Sequence, residues 1–358
     1  PKEYSGAKFL RRQGNRALKV SKNTGMEEVK KRAIEKDFIT AATPGKVIAK
    51  PDILKEEVSD ALAAVSPPNK RRLKIVADPA NGMGALFLKE IARQYPVDLV
   101  GMNFELDGSF PAHQPDPLQF DLLKDLQQKV MAEKADLGIA PDGDGDRVFF
   151  VDEKGQIIPA TMITSLISKE ILAKKSGAKI VVDIRYTINA KNVIEKYGGL
   201  MSVCPVGHAL ITKQLNDENA IFAGESSGHF YFQETGGAES SIRAIFYVLK
   251  AIQEENKPIS KIIGRFQTSI ESGEFNFILP DATDPKQLLE TVAKDYKGQI
   301  SWLDGLAIDF PDWRLNIRTS NTEPLLRLNI EGQTKELVNG KLEQLRSKII
   351  GLGGKPKG

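Results

Sequence analysis

The chain has 358 residues, more than one hydrophobic core usually serves, so length alone points to about two to four domains. Hydrophobic residues at 41% and charged residues at 27% describe a soluble globular chain, and a formal net charge of +3 gives no basic stripe for nucleic acid. Cys204 is the single cysteine, so an internal disulfide is excluded; no run of about 18 apolar residues suggests a membrane helix, and a cytoplasmic protein is expected.

Short apolar runs alternate with amphipathic stretches. Leu73–Ala77 reads as a strand, and a turn at Asn81-Gly82-Met83-Gly84 leads into a helix from Ala85 to Gln94. Asp98–Met102 is the next strand. Leu122, Leu123, Leu126 and Val130 then recur at helical spacing and predict a helix over Leu118–Glu133. The strand Ala135–Ala140 follows, and 148–158 reads as a hairpin. The alternation repeats with a helix at Thr161–Lys174, a strand at Lys179–Ile184, a helix at Asn189–Tyr197 and a strand at Leu200–Cys204. Cys204 lies in that apolar run and reads as buried filler. A helix at Ala209–Asn216 and a short strand at Ala220–Ala223 complete the unit. Such alternation predicts consecutive α/β domains with mixed, mainly parallel sheets. Farther on, Phe275–Leu279, Leu306–Phe310 and Leu325–Ile330 alternate apolar with polar. They predict a C-terminal α+β domain with an antiparallel sheet, closed by a helix at Glu336–Ile349 and followed by a loose tail from Gly351.

Three aspartates at alternating positions interrupt this pattern in Asp142-Gly143-Asp144-Gly145-Asp146-Arg147. Glycines let the backbone curl until the three carboxylates converge, and converging carboxylates repel unless a cation lies between them. Magnesium suits such oxygen donors and keeps positions open for water or phosphate. Arg147 adds a cation that suits a phosphate at the same place. A calcium-binding loop would share the aspartates and Glu153, but it needs glycine where Arg147 stands and helices where strands are predicted. The loop follows a predicted strand, the end of an α/β sheet where ligands bind.

Two later segments carry further polar chemistry. Gly224-Glu225-Ser226-Ser227-Gly228-His229 offers a carboxylate, hydroxyls and an imidazole, groups that hold vicinal sugar hydroxyls, although alone it also reads as a polar turn. Arg318-Thr319-Ser320-Asn321-Thr322-Glu323-Pro324 packs a guanidinium, hydroxyls and an amide into seven residues, a cradle for a phosphate dianion or equally a polar hairpin.

In this order the three segments resemble the α-D-phosphohexomutase family, in its phosphomannomutase/phosphoglucomutase branch. Asp142–Arg147 matches the family's metal loop letter for letter. Gly224–His229 matches its sugar loop except that Ser226 replaces methionine, and Arg318–Pro324 matches its phosphate loop. Asp107-Gly108-Ser109-Phe110-Pro111 with Pro115-Asp116-Pro117, Val206-Gly207-His208 and Trp302-Leu303-Asp304-Gly305 are smaller echoes.

The resemblance implies four domains around one cleft. They would be a remnant of a phosphoserine domain over 1–52, α/β domains over 53–156 and 157–266, and a phosphate-binding domain over 267–358. It implies a phosphoserine that exchanges its phosphoryl group with a hexose 1- or 6-phosphate, mannose or glucose, through a hexose 1,6-bisphosphate. Asp142, Asp144 and Asp146 would hold Mg²⁺, and Arg147 would steady the phosphoserine. Glu225 and Ser227 would hold sugar hydroxyls, and Arg318, Ser320, Asn321 and Thr322 the non-reacting phosphate. Lys8, His208 and His229 align with active-site groups proposed for acid–base work, and Arg185 with a site cation. Phosphohexoses are the implied partners, with neither nucleic acid nor membrane, in a monomer or dimer. Pro1 aligns with the last proline of the family's Thr-x-Ser-His-Asn-Pro loop, ahead of Tyr4-Ser5-Gly6-Ala7-Lys8, so the chain is expected to lack the nucleophile and to be inactive alone. A phosphoglucosamine mutase, which usually carries glutamine where Ser226 stands, and an inert phosphosugar-binding chain are the alternatives.

Overall fold

The computed structural model describes residues 7–357 apart from 15, 22–23, 44, 281–282 and 321–324. It opens with an antiparallel hairpin of β1 (Leu10–Gln13) and β2 (Arg16–Lys19), followed by the helices α1 (Met26–Glu35) and α2 (Ile53–Val65). No residue of α1 is buried, whereas α2 buries Val58, Ala61 and Val65.

The first large sheet is built from β3 (Leu73–Ala77), α3 (Gly84–Gln94), β4 (Val97–Gly101), α4 (Lys124–Glu133), β5 (Leu137–Pro141), β6 (Val148–Val151) and β7 (Ile157–Ile158). Its strand order is β4-β3-β5-β6-β7. β3 runs parallel to β4 and β5, and β6 and β7 return antiparallel. Every residue of β5 is buried, which explains its unbroken apolar run. The helix expected from Leu118 starts later. The Asp116 carboxylate accepts the Leu118 N–H at 3.3 Å and the Asp116 carbonyl the Gln119 N–H at 3.1 Å. These bonds hold a turn, one 3₁₀ turn spans Phe120–Leu123, and α4 begins only at Lys124.

The second unit comprises α5 (Ala160–Leu172), β8 (Lys179–Asp183), α6 (Ile188–Lys196), β9 (Leu200–Cys204), α7 (His208–Asp217), β10 (Phe222–Gly224), β11 (Phe230–Phe232), α8 (Ser241–Glu255) and α9 (Ile259–Ile263). Its sheet has the order β11-β10-β8-β9, parallel except for β11. Cys204 is buried, and loss of hydration pushes its thiol up to about 12, so it packs as filler. Helix α8 has no counterpart in the sequence reading. It is capped by Ser240, whose side chain accepts the Arg243 N–H at 3.2 Å, and it is buried along most of its length. One continuous apolar cluster joins the two α/β units, from Val58 and Phe87 through Phe149 to Phe246 and Phe266.

The last unit comprises β12 (Ile270–Ile278), α10 (Pro285–Ala293), β13 (Gln299–Ser301), β14 (Leu306–Asp309), β15 (Trp313–Thr319), β16 (Leu325–Gly332), α11 (Lys335–Gly351) and β17 (Lys355–Pro356). Its six strands, ordered β13-β14-β15-β16-β12-β17, are antiparallel throughout. A separate apolar cluster fills it, including Phe277, Leu289, Ile317, Leu328 and Leu345. The tail expected to be loose is tied down. Lys355 and Pro356 pair with Ile278 and Phe277, and the Lys357 N–H donates to the Asn276 carbonyl at 2.9 Å. These bonds complete an open sheet edge. No described helix is long and apolar enough to cross a membrane.

Glu271 of β12 faces Glu331 directly across the β12–β16 pair, and the Thr161 hydroxyl of α5 donates to it. Withdrawal from water, then the charge of Glu331, push the Glu271 carboxyl up to about 8; Asp183 adds to this rise, while Thr161 and Arg185 oppose it. The folded protein therefore keeps a proton that the unfolded chain releases near the ordinary glutamate value, so stability falls as pH rises through about 8. Thermal unfolding from about pH 5 to about pH 9 checks this: Glu271→Gln is expected to flatten the slope, and an unchanged slope would assign the proton elsewhere.

Candidate functional site

The metal loop hangs from the carboxyl end of β5. The Asp142 carboxylate accepts the backbone N–H groups of Gly145 at 3.0 Å and Arg147 at 3.1 Å, so this side chain also shapes its own turn. Gly145 has φ +80°, and a Cβ there would lie 2.8 Å from the Phe87 ring, so only glycine fits. The turn is held from outside as well. The Gly143 N–H donates to the Pro115 carbonyl at 3.2 Å, and the Met83 N–H donates to the Gly143 carbonyl at 2.9 Å. As the spacing predicts, carboxylate oxygens of Asp142, Asp144 and Asp146 converge, all within 4.8 Å of one another. Such hard oxygen donors, at this separation, fit a divalent cation of the magnesium type.

Cations from distant elements face this charge. The Lys8 ammonium, just ahead of β1, contacts Asp146, and lies 3.1 Å from Asp144 and 3.7 Å from Glu239. Arg147 folds back onto its own loop. Its Nε lies 2.6 Å from Asp142 Oδ2 and its Nη1 3.1 Å from Asp116 Oδ1. The echo around Asp116 is thus the outer support of the metal loop. Burial pushes the Asp142 carboxyl up to about 6 against the pull of Arg147, with Asp146 and Asp144 adding to the rise. Burial would also raise Asp146, but hydrogen bonds from His229 and Lys8 hold it well below the usual carboxylate range.

His229 links the metal loop to the sugar loop. Its Nε2 lies 3.4 Å from Asp146 Oδ1 and its Nδ1 3.0 Å from Glu225 Oε2 and from Ser227 Oγ. Burial would lower the imidazole, yet the flanking carboxylates raise it to about 9, so it is a cation at neutral pH. Glu225 is buried and accepts the Tyr231 hydroxyl at 2.8 Å. Burial opposes its ionisation, but His229, Arg185 and Tyr231 hold it down at about 2. The backbone joins the loops too, since the Val148 N–H donates to the Gly228 carbonyl at 3.0 Å.

Arg185 follows β8 and is buried. Its Nε and Nη2 lie 3.1 and 3.0 Å from the two oxygens of Asp183, and its Nη2 lies 3.6 Å from Glu225 Oε1. Ser226, where the sequence departs from the family pattern, turns to the same aspartate: its N–H and hydroxyl reach Asp183 Oδ2 at 2.5 and 2.9 Å. Arg318 is the penultimate residue of β15 and is 2% exposed. Its Nη2 lies 3.1 Å from Glu274 Oε2, and its Nε has no partner among the described residues. Burial, then repulsion from Arg185, lower its pKa from the usual guanidinium value, which favours an anion beside the pair. Gly305 lets β15 pass, because a Cβ there would lie 2.2 Å from the Ile317 carbonyl oxygen. The Ser320 N–H donates to the Leu325 carbonyl at 2.8 Å and closes the base of the phosphate loop. Asn321, Thr322, Glu323 and Pro324 lie outside the described residues, as do Pro1 and Tyr4-Ser5-Gly6.

His208 stands at the start of α7, open to solvent, where partial desolvation and then the charge of Lys19 lower its pKa. The preceding Val206 N–H donates to Asp304 Oδ2 at 2.9 Å, so two of the smaller echoes meet across domains. Sequence reasoning missed Lys19, Glu239, Asp183 and Tyr231. Lys19 is buried on β2, pairs with Glu239 and lies 5.0 Å from the centroid of the Tyr231 ring. No local signal marks Lys19 or Glu239, which are 220 positions apart. Asp183 could have been flagged, since it ends a parallel strand where ligand-binding groups collect.

Comparison with known proteins agrees with this arrangement. Models of the phosphoglucomutase/phosphomannomutase family match in consecutive order: α/β/α domain II over residues 56–155, α/β/α domain III over 159–269 and the C-terminal domain over 274–348. A phosphomannomutase of Methanocaldococcus jannaschii is 42% identical over 280 residues, 78% of this chain and 62% of that relative's length. One of Vibrio cholerae is 34% identical over 98% of this chain and 76% of its own length. The crystal structure of a phosphoglucomutase/phosphomannomutase family protein from Burkholderia thailandensis superposes with a TM-score of 0.81 at 26% identity, covering 91% of this chain and 70% of that one. With three family domains matched in order across most of its length, the chain belongs to the phosphoglucomutase/phosphomannomutase family.

Proposed function

We propose that the protein interconverts hexose 1-phosphates and hexose 6-phosphates, with mannose and glucose as the sugars, through a hexose 1,6-bisphosphate. One observation carries this reading: a single imidazole, His229, touches both Asp146 of the metal loop and Glu225 of the sugar loop, so one ligand can meet both. Substrate oxygen would attack the phosphorus of an enzyme phosphoserine, forming a new P–O bond as the serine–oxygen bond to phosphorus breaks. The bisphosphate would turn over in the cleft, and its other phosphoryl group would return to the serine. Asp142, Asp144 and Asp146 would hold Mg²⁺, which offsets charge on the moving phosphoryl group when bound.

The chain's own groups do the remaining work in this reading. Lys8 and His229 are held as cations beside Asp146, where each can donate a proton or a hydrogen bond to the reacting oxygen. Arg147, fixed between Asp142 and Asp116, faces a phosphate without needing to reorganise. Glu225 and Ser227 orient sugar hydroxyls, with His208 at the rim. Arg318, buried and with an Nε that has no partner among the described residues, suits the non-reacting phosphate together with Ser320, Asn321 and Thr322, and Arg185, paired with Asp183, would stand near it as a further cation.

Coupled assays of the full-length protein with Mg²⁺ and a bisphosphate activator, on mannose 1-phosphate, glucose 1-phosphate and glucosamine 1-phosphate, test the substrate. Best turnover on glucosamine 1-phosphate, or none on any of them, would overturn the proposal. Metal binding is tested separately on this chain by electron paramagnetic resonance of Mn²⁺. Asp144→Asn, at an exposed side chain, is expected to weaken binding at least about tenfold while moving stability by no more than about 0.5 kcal/mol. Unchanged Mn²⁺ affinity would remove the triad from the metal site. Glu225→Gln is expected to weaken glucose 6-phosphate binding by about tenfold or more in calorimetry, because it removes the negative charge that His229 and Arg185 face and puts an N–H₂ where one carboxylate oxygen stood.

A further inference from the structure

The C-terminal domain holds much of the backbone of the segment that carries Arg185. Arg314 of β15 and Glu331 of β16 lie directly opposite each other in register, and both are buried. Each reaches out of its own sheet to the 184–189 segment between β8 and α6. Arg314 Nη1 donates to the carbonyls of Ile184 at 2.6 Å and Arg185 at 2.9 Å, while its Nε is held by Asp309 at 2.7 Å. Glu331 accepts the N–H groups of Thr187 at 2.7 Å, Ile188 at 3.0 Å and Asn189 at 3.4 Å, and the Ser269 hydroxyl at 2.6 Å. Asn329 Nδ2 donates to the Tyr186 hydroxyl at 2.8 Å. One cation thus holds the carbonyls that flank the Arg185 peptide, and one carboxylate caps the helix that begins three residues later. A carboxylate so deeply buried needs this many donors, and the unpaired N–H groups at the start of α6 supply them.

We propose that Arg314 and Glu331 are positioning residues for Arg185. The C-terminal domain, which presents Arg318, thereby also fixes where the Arg185 guanidinium stands against Asp183 and Glu225. The placement of both buried guanidiniums then depends on the C-terminal domain, although they belong to different domains. This inference rests on the reading of Arg185 as a cation that meets the substrate phosphate.

The test is a double-mutant cycle on this chain, read as the Kd for glucose 1,6-bisphosphate with Mg²⁺ in calorimetry. Arg185→Ala and Glu331→Gln are each expected to weaken binding about tenfold, and the double variant to be no weaker than Arg185→Ala alone. In parallel, the Nε–H resonance of Arg185 is expected to shift in Glu331→Gln, a change that general loss of stability does not produce. Where Glu331→Gln fails to fold, Arg314→Lys takes its place, since it keeps the charge and loses one of two carbonyl contacts. Additive losses near a hundredfold, or unchanged binding in Glu331→Gln while Arg185→Ala weakens it, would overturn the positioning role and leave the role of Arg185 standing. Unchanged binding in Arg185→Ala would overturn both.

Discussion

Three carboxylates on one short turn repel one another, and the architecture around the turn is arranged to contain that repulsion. Asp142 bonds to its own backbone and to Arg147, and Asp116 steadies Arg147 from a neighbouring loop. Lys8 arrives from the hairpin at the start of the chain, and His229 from the second sheet. At close range in a site partly shielded from water such charges interact strongly, so losing one cation shifts the others. The metal loop is therefore a place where segments far apart in sequence must meet before its charge is tolerable.

That requirement explains the division of packing. The two α/β units share one apolar cluster, so Asp146 and Glu225 sit on a common base and His229 can bridge them with fixed geometry. The C-terminal unit has its own cluster, and the contacts that join it to its neighbour at Arg314, Glu331 and Asp304 are hydrogen bonds.

Much of this was legible in the sequence where the signal is local. Leu73–Ala77 and Leu200–Cys204 were readable to the residue, because apolar runs of strand length end at turn residues. The convergence of the acidic loop was readable because its three aspartates and its arginine lie within six positions. Strand β15 escaped because six of its seven residues are buried, which erases the alternation that marks a half-exposed strand. Helix α8 escaped because Arg243, Lys250 and Gln253 are buried among its apolar residues, so polarity no longer marks a solvent face. The tail escaped because a two-residue strand needs only an open edge to pair with. Lys19 with Glu239, and Glu331 with Thr187, are tertiary pairings that no spacing announces.

The contrast between the two interfaces has a mechanical consequence. An apolar core cannot part without exposing its area to water, at about 25 cal/mol per Å², whereas a hydrogen bond to a charged group exchanges its protein partner for water at a net cost of about 1.5–3 kcal/mol. Movement between units is therefore cheapest at the polar seam around residues 184–189, which is also where Arg185 is held. Opening that seam would release the carbonyl and N–H groups on either side of Arg185 from Arg314 and Glu331, so the placement of its guanidinium against Asp183 depends on the seam staying closed.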